Sequence, residues 1–212
     1  MNFTGRADII RRVQSAMGVT ADGIDGPMTW KAIETRIVRL PSAVPADTAA
    51  SPASVQFDDR TEKNLASLDP KAQPAFRRFI AAAQEEAAKH GCQYIGIAGN
   101  RTYAEQNALY AQGRTAPGPK VTNAKGGESN HNFGIAMDFG VFRAKRYLDG
   151  GNPDDSKLAA DIHKAAAVHA KANGIEWGGD WKSFKDFPHF EIHTGLSNYH
   201  KRQRMASLGS VL

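Results

Sequence analysis

The segment SNHNFGIAMDFG, residues 129–140, places His131 and Asp138 seven positions apart, with the flexible Gly134 between them. An imidazole and a carboxylate can both bind zinc, and a catalytic zinc site usually takes three protein ligands and leaves one position for water. Asp138 follows apolar residues, where an unpaired carboxylate would be costly to bury. A metal ion or an arginine could neutralise it, and the spacing alone leaves both alternatives open.

A second segment, DFPHFEIH at 186–193, supplies a third candidate ligand. Its residues His189, Glu191 and His193 alternate with apolar residues, and this alternation predicts three polar side chains on one face of a strand. His189 can complete a metal site with the first two candidates. Asp186 could then act as the base that takes a proton from water, and Glu191 is its rival. No role is assigned to His193.

Other reactive residue types favour structural roles. His163 and His169 lie six positions apart on a predicted helix, so they face different directions, and we assign them packing or surface roles. Cys92 is the only cysteine and opens an apolar run, which predicts a buried hydrophobic residue and excludes an intrachain disulfide. Trp177 and Trp181 are predicted to pack in the core rather than to stack on substrate. Any metal must therefore be held by His, Asp or Glu.

The elements that position these residues are helices and short strands without a regular βαβ rhythm. This pattern predicts an α+β fold, with a small, largely antiparallel sheet flanked by helices. The predicted elements are a helix from Asp69-Pro70 to Gly91, a strand at 93–99, a helix opened by a Thr102–Glu105 capping box and stopped at Gly113, a polar loop at 114–130, a strand at 134–142, a helix at 155–173, and strands at 175–179 and 189–193.

Composition divides the chain into three predicted parts. Residues 39–60 are rich in Pro, Ala, Ser and Thr and lack periodicity, which is typical of a linker. They separate a short N-terminal helical module, 1–38, from the main domain, 61–212. In the module, an apolar stripe from Ile9 to Met17 predicts one helix, and Gly26-Pro27 predicts the start of a second.

The net charge of +5 indicates attraction to polyanions, but the basic residues are scattered along the 212-residue chain. Without an aromatic-interleaved basic strand, we expect no nucleic-acid function. The first residues lack the apolar stretch of a signal peptide, and no apolar run approaches the roughly 20 residues of a membrane span. We therefore expect a monomer, made in the cytoplasm of the host cell without a signal peptide and not inserted stably into membranes.

The first two segments together resemble a known signature. The pattern Ser-x-His-x-x-Gly-x-Ala-x-Asp at 129–138, followed by Asp-x-x-His at 186–189, resembles that of the zinc D,D-peptidases and L-alanyl-D-glutamate endopeptidases, a family that includes bacteriophage endolysins. The resemblance extends through 100–115 and 121–140, and so covers most of 92–193. It implies a peptidoglycan peptidase with a Zn²⁺ cofactor.

The resemblance also implies roles for single residues. The zinc ligands would be His131, Asp138 and His189. The general base would be Asp186, while Arg101 would contact substrate and the oxyanion, and Ser129 would position substrate or a ligand. The family often has Ser-Gly-Tyr-Arg where this chain has Ala-Gly-Asn-Arg at 98–101, which leaves the arginine in place but changes its neighbours.

A second resemblance concerns the N-terminal module. Residues 18–33, GVTADGIDGPMTWKAI, resemble the core of a peptidoglycan-binding three-helix module found in many cell-wall hydrolases, although the stretch is shorter than a full module. The alternative is a helical hairpin without wall affinity. The sequence thus predicts an endolysin that cleaves the L-alanyl-D-glutamate bond of wall stem peptides after its release from the cytoplasm. The alternatives are a D,D-carboxypeptidase on the same site and a non-catalytic wall-binding protein; the candidate base argues against the latter, because a structural metal site needs no base.

Overall fold

The computed structural model describes residues 6–17, 19, 56–150 and 152–212. The chain divides into two compact units, Met1–Ala49 and Ala50–Leu212. Helix α1 of the first unit spans Arg6–Met17, as the apolar stripe predicted. The predicted second helix, most of the motif at 18–33 and most of the predicted linker lie outside the described residues, so they stay predictions.

The second unit contains the other described helices and all the described strands. The helices are α2 (Asp59–Ala66), α3 (Gln73–Ala88), α4 (Tyr103–Ala111), α5 (Pro153–Ala172) and α6 (Asn198–Leu208). The strands are β1 (Gln93–Ala98), β2 (Ala136–Arg143), β3 (Arg146–Tyr147), β4 (Glu176–Trp177) and β5 (His189–Glu191). Two short 3-10 helices, Asn130–Phe133 and Gly178–Asp180, precede β2 and follow β4. Among the described residues, no helix is both long enough and apolar enough to cross a lipid bilayer.

The five strands form one sheet in which every pairing is antiparallel. Strand β2 is central: β1 lies along one edge, β5 pairs with its first residues, and β3 pairs with its last two. Strand β4 extends the sheet beyond β5. The prediction of an α+β fold with a small antiparallel sheet and flanking helices is confirmed.

One face of the sheet carries the aromatic core. Phe79 of α3 lies at its centre, with ring centroids 5.2 Å from Phe139 and 4.7 Å from Phe190. The helices α3 and α5 pack together and cover this face. Because side chains alternate along a strand, the neighbours Asp138 and His189 point to the opposite face. The core thus anchors the strands that carry the candidate ligands.

The start of the folded unit differs from the prediction. Phe57 is buried, and the Asp58 carboxylate caps α2 by accepting hydrogen bonds from the backbone of Arg60 and Thr61. Residues 57–60, predicted as the end of the linker, therefore pack with the domain. Helix α2 was not predicted, because only two of its residues, Thr61 and Leu65, are buried.

Helix α3 begins at Gln73 and not after Asp69-Pro70, so that predicted start is wrong. The Asp69 backbone N–H donates to the Gly134 carbonyl, and its carboxylate and carbonyl hold a separate turn ahead of the helix. Pro74 lies in the first turn of the helix instead, where its missing N–H costs nothing. The capping box of α4, strand β1 and helix α5 agree with the predictions.

Candidate metal centre

Three elements bring the predicted ligands together. Asp138 and His189 are directly opposite in the β2–β5 pairing. His131 lies on the 3-10 helix Asn130–Phe133, which ends at Gly134 in a left-handed conformation with φ 66°. A Cβ atom at Gly134 would lie 2.6 Å from the Asp69 backbone nitrogen, so only glycine allows the chain to turn here into β2.

The three ligand atoms converge on one point. Asp138 Oδ1 lies 3.1 Å from His131 Nε2 and 3.0 Å from His189 Nδ1. The two imidazole nitrogens are 3.3 Å apart. Both histidines are buried, and the group forms a cluster suited to hold a metal ion.

Hydrogen bonds on the far side of each ring determine what these atoms can do. His131 Nδ1 lies 2.7 Å from the Gly99 carbonyl, and His189 Nε2 lies 2.8 Å from the Glu191 carboxylate. Both oxygens can only accept, so each ring places its proton there and turns a lone pair toward Asp138. Three acceptors facing one another need a cation between them. The donor set, two imidazoles and a carboxylate, therefore fits zinc.

The pKa values of Asp138 and His189 also favour a cation in the cluster. Burial raises the pKa of Asp138, but His131 and His189 outweigh it and hold that pKa well below its ordinary value. Burial lowers the pKa of His189, but hydrogen bonds to Asp138 and Glu191 raise it to about 9. The centre thus favours positive charge, and a metal ion and a proton compete for the same lone pair on His189.

Arg101 forms an ion pair with the other carboxylate oxygen of Asp138. Its Nη2 is 2.6 Å from Asp138 Oδ2, and its Nη1 donates to Gln106 Oε1 at 3.3 Å. The fully buried Gln106 is fixed in turn by the Ala124 carbonyl. The arginine alternative for neutralising Asp138 is thus present on Oδ2, while Oδ1 faces the candidate metal position. Contact of Arg101 with substrate stays a prediction.

The two candidate bases, Asp186 and Glu191, differ in the hydrogen bonds and ion pairs that their carboxylates make. Asp186 is half-buried, and within the described ranges no hydrogen bond or ion pair engages its carboxylate. Burial and the nearby Asp138 raise its pKa. Glu191 is bound to His189 Nε2 on the side away from Asp138 and also interacts with Asn130. The geometry therefore favours Asp186 over Glu191 as a free base.

Ser129 precedes the 3-10 helix and accepts a hydrogen bond from the His131 backbone at 3.4 Å, so it contacts the backbone of a candidate ligand. Trp177 is buried, as predicted, and donates to the Phe187 carbonyl. Trp181 is only partly buried, and its ring centroid lies 5.0 Å from that of His189. The core assignment was therefore wrong for Trp181, which lies beside the candidate site.

The remaining histidines lie elsewhere. His193 is mostly exposed and lies 3.6 Å from Glu176, outside the cluster. His163 is fully buried between Tyr94 and Asp149, and His169 pairs with Glu86 on the surface, as the predicted packing and surface roles require. Cys92 is a buried free thiol, as predicted.

Reasoning from the sequence missed the partners that hold the ligands. Gln106, Asn130 and the buried Lys201, whose Nζ lies 2.5 Å from Asn130 Oδ1, were not singled out. The Asn130–Lys201 contact joins residues 71 positions apart, and no local pattern signals it. Glu191 was noticed, but as a base; its position two residues from His189 on one strand face could have indicated the partner role.

Comparison with known proteins was made for sequence and structure. A family model described as D-alanyl-D-alanine carboxypeptidase matches residues 122–192. Peptidoglycan L-alanyl-D-glutamate endopeptidase CwlK of Bacillus subtilis (strain 168) is 39% identical over 120 residues, which are 56% of this chain and 72% of that protein. The L-alanyl-D-glutamate peptidase of Listeria phage A118 is 37% identical over 65 residues, 31% of this chain and 21% of that protein.

Two solved structures are also similar. The L-Ala D-Glu endopeptidase ChiX of Serratia marcescens has a TM-score of 0.45 and 23% identity, with 66% of this chain and 92% of that chain covered. The LD-carboxypeptidase LdcB has a TM-score of 0.44 and 18% identity, with 74% and 71% covered. The identity to CwlK and the share of CwlK that is covered establish the relationship. The chain belongs to the D-alanyl-D-alanine carboxypeptidase and L-alanyl-D-glutamate endopeptidase family.

Proposed function

We infer that the protein is a peptidoglycan hydrolase that cleaves the L-alanyl-D-glutamate bond of wall stem peptides. One observation carries this conclusion: two imidazoles and a carboxylate converge with their lone pairs inward, near the Asp186 carboxylate, which has no hydrogen bond to any of the described residues. The 39% identity to an endopeptidase named for this bond supports the choice of bond.

The proposed cofactor is Zn²⁺, held by His131 Nε2, Asp138 Oδ1 and His189 Nδ1. Nitrogen and carboxylate ligands without cysteine match the ligand sets of catalytic zinc. Bound zinc lowers the pKa of a water molecule from 15.7 to about 7 and polarises a carbonyl. The resemblance of the motifs at 129–138 and 186–189 to those of zinc peptidases supports zinc as the metal.

The protein side chains supply the proton transfer and the charge. In our proposal, Asp186 takes the proton of the attacking water and passes it to the leaving amine, which its free carboxylate and raised pKa favour. Arg101 places its guanidinium beside Asp138, where it can stabilise negative charge that develops on the scissile carbonyl oxygen. Ser129 positions His131 through its backbone.

The test is digestion of purified sacculi with and without a chelator, followed by labelling of new amino groups and mass spectrometry. A new amino terminus on glutamate, lost with chelator, is the expected result. Release of D-alanine would instead assign a D,D-carboxypeptidase. If no new terminus formed with zinc supplied, across several wall chemotypes, the non-catalytic wall-binding alternative would replace the proposal.

We further propose that residues 1–38 are a wall-binding module, that 39–60 connect it to the peptidase domain, and that the protein acts as a monomer on the wall after release from the cytoplasm. The motif at 18–33 supports the module. A tether would raise the effective concentration of the peptidase at an insoluble polymer. Deletion of 1–38 should therefore weaken sedimentation with sacculi more than it slows cleavage of a soluble muropeptide. Equal sedimentation of the truncated chain would contradict the module.

A further inference from the structure

Strands β3 and β5 both pair with the same edge of β2. Strand β1 pairs with β2 between Asp138 and Phe142 and occupies one edge. On the other edge, β5 pairs where Asp138 faces His189, and β3 pairs where Phe142 faces Tyr147. Gly140 lies between these two pairings. The metal centre and Tyr147 thus flank the same short stretch of strand.

The Tyr147 ring leans from its pairing position back toward the metal centre. A Cβ atom at Gly140 would lie 2.6 Å from Tyr147 Cε2, so the ring lies directly over this glycine. Gly140 is two residues from Asp138 and therefore on the same face of β2. Phe142, with its ring centroid 5.2 Å from that of Tyr147, packs against the ring from the other side of the glycine.

The hydroxyl group of Tyr147 is available to a ligand. The residue is 40% exposed, and in the described part of the chain no hydrogen bond engages its phenol. Burial, followed by the charges of Asp149, Asp138 and Asp186, raises the pKa of Tyr147 to about 12. The phenol therefore stays protonated near neutral pH and can act as a hydrogen-bond donor, within the field of the candidate base and a candidate ligand.

We propose that Tyr147 is a substrate-binding residue whose hydroxyl donates a hydrogen bond to an amide carbonyl of the stem peptide beside the cleaved bond. The acceptor is taken as a carbonyl because a protonated phenol is a neutral donor and the scissile bond itself is an amide. The charges near the phenol are mixed, with Asp138, Asp149 and Asp186 on one side of the balance and Arg60 on the other. This inference rests on the proposed function, because it takes the stem peptide as the ligand. The sequence pattern of the candidate ligands does not indicate a role for Tyr147, and β3, at two residues, is too short to show a pattern of its own.

The first test compares Tyr147→Phe with the wild type, both full-length and zinc-loaded, on a synthetic L-alanyl-D-glutamyl stem peptide. Loss of one neutral hydrogen bond predicts a fall in kcat/KM of about two- to tenfold. Bound zinc and the melting temperature should not change, because the ring and its packing are kept. Tyr199→Phe is the matched control: Tyr199 is 59% exposed on α6 and should give wild-type values.

The second test measures binding without turnover. In the Asp186→Ala background, the dissociation constant of the same peptide should rise by a similar factor when Tyr147→Phe is added. An unchanged dissociation constant would overturn the role of Tyr147. If the wild type cleaved no bond while Tyr147→Phe still weakened binding, the proposed hydrolase function would fail and the Tyr147 contact would stand.

Discussion

Removal of the Glu191 carboxylate should weaken metal binding although Glu191 is not itself a candidate ligand. Its Oε2 lies 2.8 Å from His189 Nε2, and its side chain is only 13% exposed. This bond keeps the proton on Nε2 and the lone pair on Nδ1, which faces Asp138. Without it, the His189 ring can change its tautomer or rotate, and each change removes a ligand.

Loss of such a partner typically lowers metal affinity by about 10- to 100-fold, or roughly 1.4 to 2.7 kcal/mol. The zinc affinity of Glu191→Ala should fall by a factor in this range. The substitution also leaves the buried Lys201 without the nearby negative charge. Glu191→Gln should lose less, because the amide oxygen can still accept from His189. The order of dissociation constants for zinc is thus expected to be wild type, then Gln, then Ala.

The assay is competition for zinc between the metal-free protein and a chromophoric chelator near neutral pH. Glu176→Gln is the matched control, since Glu176 is the direct neighbour of Glu191 across the β4–β5 pairing but its side chain is 54% exposed. Thermal melting of each metal-free variant checks that it is folded. If folded Glu191→Ala bound zinc as tightly as the wild type, the reasoning from the ring proton would be refuted.

Three further predictions concern the base, the core and a surface ion pair. Asp186→Asn should keep its zinc content but lose about 10²- to 10⁴-fold in turnover, and near-normal turnover with bound zinc would move the base elsewhere. Phe79→Ala should cost about 3–5 kcal/mol in the free energy of unfolding, measured with urea, because four aromatic rings surround Phe79; a loss below about 1 kcal/mol would contradict its central place. The hydrogen bond from Arg77 lowers the pKa of Glu62 from 4.5, so the pair stabilises the fold above that pH and its contribution is lost as the pH falls through the lower folded value. The stability difference between wild type and Glu62→Gln should therefore be present near neutral pH and disappear in acid, and a difference that persisted at low pH would count against the ion pair.

The clustering of the three candidate ligands could be predicted because its constraints are local. Alternation along two strands predicts which side chains share a face, and Gly134 predicts the turn that brings His131 back to the strand. The capping box at Thr102 likewise needs only four residues. Such signals lie within one element or one turn, so a single sequence contains them.

The partners of the ligands could not be predicted in the same way. Lys201 of α6 contacts Asn130. The sequence of this helix has few apolar residues, so its run HKRQR predicts a solvent-exposed basic group instead. Arg202 and Asn198 of the same helix donate to the carbonyls of Gly127 and Glu128. All these contacts are long-range, and they depend on where the helix docks rather than on its own pattern.

The register of β2 joins the core to the site. Asp138 and Phe139 are neighbours whose side chains point to opposite faces: the carboxylate lies in the candidate metal centre while the ring packs against Phe79. A slip of one residue would place the carboxylate in the aromatic core and the ring among the ligands, and burying that charge would be costly. The aromatic packing of Phe139 and Phe190 therefore does more than stabilise the domain. Because these rings fit only one register, they also hold Asp138 opposite His189, the pairing that brings two of the three candidate ligands together.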